Sequence, residues 1–188
     1  MGVLILALLI TLLSVSFAYN RFALTDCSPS NNRLLTIKGH LLDYPVKIPG
    51  HVRVSSTVDI HRPIRAGQLR LDVTIQKWIV FGYFTLPCIS SAGSCSYDLC
   101  DLLLWFEDTG CPWQLKSSNF PCTCPFSNGT YTLDPHPFRI PEVTIWQWIA
   151  YGDFRVIGSL IDKDTSQEVS CYSLEFTVQS ARTFGRWW

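Results

Sequence analysis

The residues of this 188-residue chain with the clearest chemical potential are its eight cysteines. Six of them fall between Cys88 and Cys124, while Cys27 and Cys171 stand alone towards the two ends. In an oxidising compartment an even set of this kind reads as four disulfides, and the spacing alone leaves the connectivity open. Cys122 and Cys124 are too close in sequence for a relaxed bridge to each other. Pairing Cys27 with Cys171 would close a loop of roughly 145 residues, worth about 5 kcal/mol in the chain-entropy picture. The alternative chemistry is metal chelation by Cys122-Thr123-Cys124. No Cys-x2-Cys pair followed by a histidine pair accompanies it, so no metal site is expected.

Catalytic chemistry finds less support. Gly93-Ser94-Cys95 lacks the Gly-x-Ser-x-Gly spacing of a nucleophile elbow. His40, His51, His61 and His136 sit at turns or strand ends, without a serine or a free cysteine as an obvious partner. Asp101, Glu107 and Asp108 could in principle be the paired carboxylates of a glycosidase, but their place on a short helix reads as a solvated edge. No catalytic residue, no cofactor and no enzyme activity follow from these residues.

Aromatic residues point elsewhere. Seven tryptophans in a secreted domain require a large core or an exposed apolar surface. Trp78-Ile79-Val80-Phe81-Gly82-Tyr83-Phe84 is apolar on both faces and joins two strands, where a connection would ordinarily be polar. A buried central strand is one reading. An apolar hairpin tip that touches lipid or membrane is the other, and it is preferred. Ile145-Trp146-Gln147-Trp148-Ile149-Ala150-Tyr151 forms a second aromatic loop. Fifteen basic and fifteen acidic residues cancel, and no basic run appears, so nucleic acid is not expected as a partner. Acidification would charge the histidines and favour an anionic membrane surface.

The elements that must position these residues are mostly strands. Residues 1–18 carry no charge and end in Ser16-Phe17-Ala18, a small-x-small cleavage pattern, so they read as a secretory signal peptide. The run is short for a membrane span. One domain over 19–181 and a tail over 182–188 complete the expected layout. Residues 19–32 read as a polar segment tethered by Cys27. Leu69, Leu71, Val73 and Ile75 alternate with polar neighbours in the cleanest strand of the chain. Two short strands broken around Asp43-Tyr44-Pro45 are expected over 34–48, and further strands over 52–60, 131–133, 138–143, 154–161 and 169–178, with Pro135-His136-Pro137 as a break. Tyr172, Leu174, Phe176 and Val178 form the core face of the last one. Leu99, Leu102, Leu103 and Phe106 recur at helical spacing across Cys100. Asn128-Gly129-Thr130 is a glycosylation sequon and belongs on the surface. About eight strands and one short helix in a disulfide-rich insert make a mainly β protein, an antiparallel β-sandwich.

Several motifs resemble one family, the ganglioside GM2 activators of the MD-2-related lipid-recognition group. They are Leu86-Pro87-Cys88 with Gly93-Ser94-Cys95, Cys100-Asp101-Leu102-Leu103, Cys111-Pro112, and Pro121-Cys122-Thr123-Cys124-Pro125-Phe126. Gly129-Thr130-Tyr131-Thr132-Leu133, Trp148, Gly152, Arg155 and Cys171 continue the likeness, which runs from about Cys27 to Val178. The resemblance implies an antiparallel β-cup with an apolar cavity. It implies a protein that lifts a glycolipid or other lipid from a membrane, without chemistry of its own, and presents it to a soluble β-hexosaminidase. It also implies the pairing Cys27–Cys171, Cys88–Cys95, Cys100–Cys124 and Cys111–Cys122, and a destination in the lysosomal lumen or outside the cell. The expected lipid and membrane rim comprises Trp78, Ile79, Val80, Phe81, Tyr83, Phe84, Ile145, Trp146, Trp148, Ile149 and Tyr151. Trp148 matches a membrane-facing tryptophan of the family, whereas Tyr83 stands where the family has another. Gly50-His51-Val52-Arg53 lacks the family's asparagine sequon, and the Trp187-Trp188 tail is additional. A lipid sensor that docks a receptor, a secreted lipid hydrolase, and a disulfide-rich structural protein are the competing readings.

Overall fold

Side-chain parity along three long strands builds the larger of two sheets. The structure, a computed structural model, describes residues 22–142 and 147–181, without the side chains of Trp105, Glu107, Asp108, Gln147 and Trp148. The expected signal peptide (1–18), the tail (182–188), Ile145 and Trp146 lie outside the described residues. The larger sheet has the order β1 (Ala23–Asp26), β10 (Gln167–Ser180), β9 (Gly152–Asp162), β5 (Leu69–Ile79), β6 (Gly82–Thr85). Two short strands extend it, β3 (Val46–Ile48) beside β10 and β7 (Ser96–Asp98) beside β5. The smaller sheet is β2 (Leu35–Leu41), β4 (Gly50–Ile60), β8 (Gly129–Ile140). All these pairings are antiparallel except β3 with β10.

Register explains which side chains face inward. Leu71 lies opposite Leu160, Val73 opposite Gly158, Ile75 opposite Val156, and Lys77 opposite Phe154. On the other side of β9, Gly158 pairs with Tyr172, Val156 with Leu174, and Phe154 with Phe176. Because strand side chains alternate, these residues share one face, and that face looks towards the smaller sheet. The rows are apolar until Lys77, where a cation interrupts them.

Ten strands among the described residues exceed the expected eight because β1, β6 and β7, each only three or four residues long, are added, while two expected strands form the single β8. Two expectations are corrected. The segment before Asn32 is not merely tethered, since Ala23–Asp26 pairs with β10 from Tyr172 to Glu175. The break at Pro135-His136-Pro137 is absent, and β8 runs continuously to Ile140. It tolerates prolines because it is an edge strand, whose outer N–H groups need no partner. The register shift between Val54 and Ser56 absorbs the extra residue.

Three helices occur among the described residues: α1 (Leu99–Thr109), α2 (Trp113–Ser117) and α3 (Gln147–Ala150). Asp98 caps α1, its carboxylate accepting from the Cys100 and Asp101 N–H groups at 2.8 and 3.2 Å. Gly110, with φ +80°, ends it in a conformation that favours glycine. Leu99 and Leu103 pack on the core, but Leu102 is 40% exposed, so the inward stripe is narrower than its spacing predicts.

The bridges are Cys27–Cys171, Cys88–Cys95, Cys100–Cys124 and Cys111–Cys122, with Cα separations of 4.8, 5.1, 5.7 and 5.8 Å. Cys100–Cys124 ties α1 to the loop whose Phe126 pairs with Ile64. Burial is lopsided. The most deeply buried side chains are Leu34, Ile64, Leu69, Val169 and Ser170, all at the end where β2, β5 and β10 begin. That end is the closed floor.

Candidate functional site

Above the floor the space between the sheets is hollow. An apolar cavity of about 290 Å³ is lined by Leu35 and Ile37 of β2, Val58 and Ile60 of β4, and Tyr131 of β8. The opposite wall is Leu71, Gly158, Leu160, Ser170 and Tyr172 of β5, β9 and β10, and Leu99, Phe120 and Phe126 come from the cysteine-rich insert. Leu71, Ile37 and Val58 point inward from mid-strand, yet each is only half-buried. Close-packed interiors leave no such freedom. Gly158 contributes directly to the hollow, since a strand glycine presents no side chain to fill it.

The few polar groups here are used in building the wall. The Tyr172 hydroxyl accepts from the Ile37 N–H at 2.8 Å and reaches Asp26 at 3.2 Å, tying β10 to β2. Burial pushes the Tyr172 phenol up from its ordinary range. Ser170 donates to the Val169 carbonyl and accepts from the Leu35 N–H. Ser94 is occupied as well: its hydroxyl accepts from the Ile75 N–H at 2.9 Å and donates to the Ile75 carbonyl at 3.3 Å, fixing the insert to β5. Cys122 and Cys124 are bonded to Cys111 and Cys100, which leaves neither sulfur as a thiolate ligand. His61 and His136 contact Thr36 and Ser117 at 2.9 and 3.0 Å.

A second apolar cavity, of about 240 Å³, lies farther from the floor. Ile75, Phe154, Phe176, Val178, Ile48 and Leu86 line it, and Ile149 and Ala150 of α3 cover it. From Gly158 to Phe154 along β9 the step between the cavities is about 13 Å. Val73, Val156 and Leu174 stand between them on the same face.

The expected rim residues divide into groups. Val80 and Phe81 form the turn of the β5–β6 hairpin and are 82% and 98% exposed. Trp78 and Tyr83 pair across that hairpin in a T-shaped contact at 5.1 Å, on the sheet face opposite the cavity. Arg155 covers the Tyr83 ring at 3.9 Å and pairs with Glu175 at 2.7 Å. Burial is the main cause of the raised Tyr83 phenol pKa. Ile79 and Phe84 are about half exposed on the cavity side. Ile149 lines the second cavity, and Tyr151 packs beside Val46, Val52, Phe154 and Val178. The backbone of Trp148 lies within α3. Asn128 is exposed just before β8.

Among the participants not singled out from the sequence are Gly158 and Lys77. Gly158 gives no signal without knowledge of which face is hollow. Lys77 does give one, because it falls on the inward parity of Leu69, Leu71, Val73 and Ile75.

Comparison with known proteins agrees with this architecture. The ML-domain family model matches residues 21–178. The chain is 34% identical to the ganglioside GM2 activator of Mus musculus over 115 residues, 60% of this chain and 59% of that protein. It is 33% identical to that of Macaca fascicularis over 122 residues, 63% of this chain and 64% of that protein. Each match therefore spans less than two thirds of the relative's length. Among solved structures, a Niemann-Pick type C2 protein from the Japanese carpenter ant covers 84% of this chain and 100% of its own at 10% identity and TM-score 0.41. Chicken MD-1 complexed with lipid IVa covers 84% and 99% at 13% identity and TM-score 0.31. With its two sheets, its hollow interior and a family match over most of its length, the chain belongs to the ML-domain family and is similar to the ganglioside GM2 activators.

Proposed function

We propose that this protein is a lipid carrier that takes a glycolipid from a membrane into the inter-sheet cavity and presents its headgroup to a soluble glycosidase of the β-hexosaminidase type. The observation that carries the reading is the hollow between the sheets, whose lining is apolar on both walls. A ceramide tail leaving a bilayer exposes apolar surface worth roughly 0.8 kcal/mol per methylene, so a carrier must offer an apolar interior in exchange. The names of the two relatives, ganglioside GM2 activators, support both the ligand class and an activator role.

The exposed Val80–Phe81 tip is the membrane contact in this reading, with Trp78, Ile79, Tyr83 and Phe84 as its support. Ile145, Trp146, Trp148, Ile149 and Tyr151 complete the membrane rim in this reading. Residues 1–18 direct the chain into the secretory pathway and 19–181 form the carrier domain. Its destination is the lysosomal lumen or the extracellular space, and Asn128 carries the glycan.

Native mass spectrometry of the secreted protein, purified without detergent, tests the reading. Co-purified lipid and transfer of labelled lipid between vesicles are the expected results. Addition of β-hexosaminidase should then release sugar from the carried glycolipid. A lipid-free monomer that transfers nothing would refute the proposal, and glycolipid hydrolysis by the protein alone would make it an enzyme.

A further inference from the structure

Lys77 is a charged group in a place that otherwise excludes charge. It continues the inward row of β5, with only 6% of its surface exposed. Its ammonium donates to the Tyr151 carbonyl, one residue beyond α3, and lies 4.6 Å from the centre of the Phe154 ring. Phe154 and Ala150 line the second cavity, so the ammonium stands at its edge, between Ile75 inside and the exposed hairpin tip. The backbone makes room for it. Gly152 has φ +119°, and a Cβ there would lie 2.8 Å from the ammonium nitrogen.

An ammonium has three donors. Among the described residues it has one acceptor, and no carboxylate closes an ion pair with it. Asp153 is the neighbouring acid, but it belongs to the opposite face of β9, where its carboxylate accepts from Thr177 at 2.5 Å. Burial lowers the Lys77 pKa, and Asp153 only partly opposes this. For a plain hydrocarbon pocket, methionine or leucine at this position would be more favourable. A buried cation with unfilled donors at the edge of an apolar cavity matches an amphiphile whose head is negative.

Resting on the lipid-carrier reading, we propose that Lys77 is an oxyanion-binding site: the second cavity takes the chain of an acidic amphiphile whose carboxylate or phosphate oxygen accepts from the Lys77 ammonium. The anion supplies the missing acceptors and the neutralising charge in one contact. Exposed lysines elsewhere on the chain lack the low-dielectric surroundings that give such a contact its strength.

The test uses delipidated, full-length secreted protein and four probes with the same chain: oleate, oleoyl lysophosphatidate, oleyl alcohol and methyl oleate. Binding is measured for the wild type, Lys77→Met and Lys77→Arg, with folding checked by thermal melting. The wild type should bind at least one acidic probe about tenfold more tightly than the two neutral ones, the scale of one charge-assisted hydrogen bond. Oleate and lysophosphatidate separate a carboxylate from a phosphate source. Lys77→Met should erase the preference while keeping the neutral affinities, and Lys77→Arg should retain most of it. Equal wild-type affinities for acidic and neutral probes would overturn the proposal. So would a folded Lys77→Met variant that loses all four probes alike, because the lysine would then serve only to hold the Tyr151 segment. If no probe binds the wild type, the carrier reading falls with it.

Discussion

Gly158→Leu places the hollow interior under direct test. Gly158 lies in the middle of β9, lines the larger cavity, and has an ordinary extended backbone that any residue can adopt. A Cβ built there meets one atom within 4 Å, the Leu71 Cδ1 at 3.7 Å, which is normal contact distance. The leucine side chain would therefore grow into open space rather than into a packed neighbour. Burying it contributes about 1.5–3 kcal/mol, opposed by roughly 0.5–1 kcal/mol of lost rotamer freedom. Replacing a strand glycine adds about 0.5–1 kcal/mol more. The net gain is about 2 kcal/mol in the lipid-free protein, or a rise in Tm of roughly 4–8 °C for a domain of this size. The same side chain occupies volume that lipid needs, so vesicle-to-protein transfer of a labelled lipid should fall sharply. Gly158→Ala, which adds one methyl group, should raise Tm slightly and leave transfer nearly intact. Thermal melting by circular dichroism and the transfer assay read both quantities. A lowered Tm for Gly158→Leu would show that the space is not free. A raised Tm with unchanged transfer would refute the cavity as the lipid site.

Phe81→Ala removes a ring that is 98% exposed, so stability should change by no more than about 0.5 kcal/mol, while affinity for vesicles falls about tenfold; vesicle co-sedimentation measures the latter, and unchanged sedimentation removes the tip from the membrane contact. Gly93→Ala would set a Cβ 2.0 Å from the Pro87 carbonyl oxygen at φ +101°, and a loss of about 2 kcal/mol or more is expected; a melting curve that overlays the wild type would contradict the geometry. Five carboxyls lie below their ordinary range, among them Asp72 through its hydrogen bonds with Arg70, Asp98 through Lys163, and Asp162 chiefly through the Thr165 N–H. Because their folded pKa values are depressed, the stability they contribute is present above the unfolded value of about 3.9 and is lost as pH falls through the folded values. From these groups, denaturant midpoints should hold between pH 7 and pH 5 and decline below about pH 4; a fall already at pH 6 would exclude them as the cause. Replacing Cys27 and Cys171 together by alanine opens a loop of 144 residues and should cost up to about 5 kcal/mol, read as a lower urea midpoint; an unshifted midpoint would remove that bridge from the stability argument.

The strands that could be read from the sequence were those with one wet face, because alternation records the difference between water and the interior. Leu69–Ile79 and Gln167–Ser180 are of this kind. β8 was read as two pieces because its prolines are permitted only by its place at the sheet edge, a fact of pairing rather than of local pattern. β1 escaped notice because four residues show too little alternation, and its register on β10 decides the matter. The exposure of Phe81 was legible as an apolar connection where a polar one belongs. The hollow itself was not legible from composition, since a half-filled core and a full one use the same residue types. Only the family resemblance suggested it. Gly158 and Lys77 acquire meaning from what lies across the space from them.

The distribution of burial gives the cup a direction. Leu34, Ile64, Leu69, Val169 and Ser170 seal one end, whereas beyond the other end of β5 Phe81 stands almost wholly in solvent. An unfilled cavity of about 290 Å³ would cost on the order of 7 kcal/mol at about 24 cal/mol per Å³, comparable with the net stability of a whole domain. The Cys27–Cys171 bridge ties β10 to the segment after β1 at the sealed end, and its contribution of about 5 kcal/mol is of the same order. Cross-linking at the floor can therefore sustain a hollow that packing alone would tend to close. The mouth has the opposite character: α3 covers the second cavity with a single turn, held by the Lys77 contact to the Tyr151 carbonyl. A closed floor and a mouth covered by a single turn fit the proposed carrier role, in which the interior stays open without lipid and admits lipid from one side only.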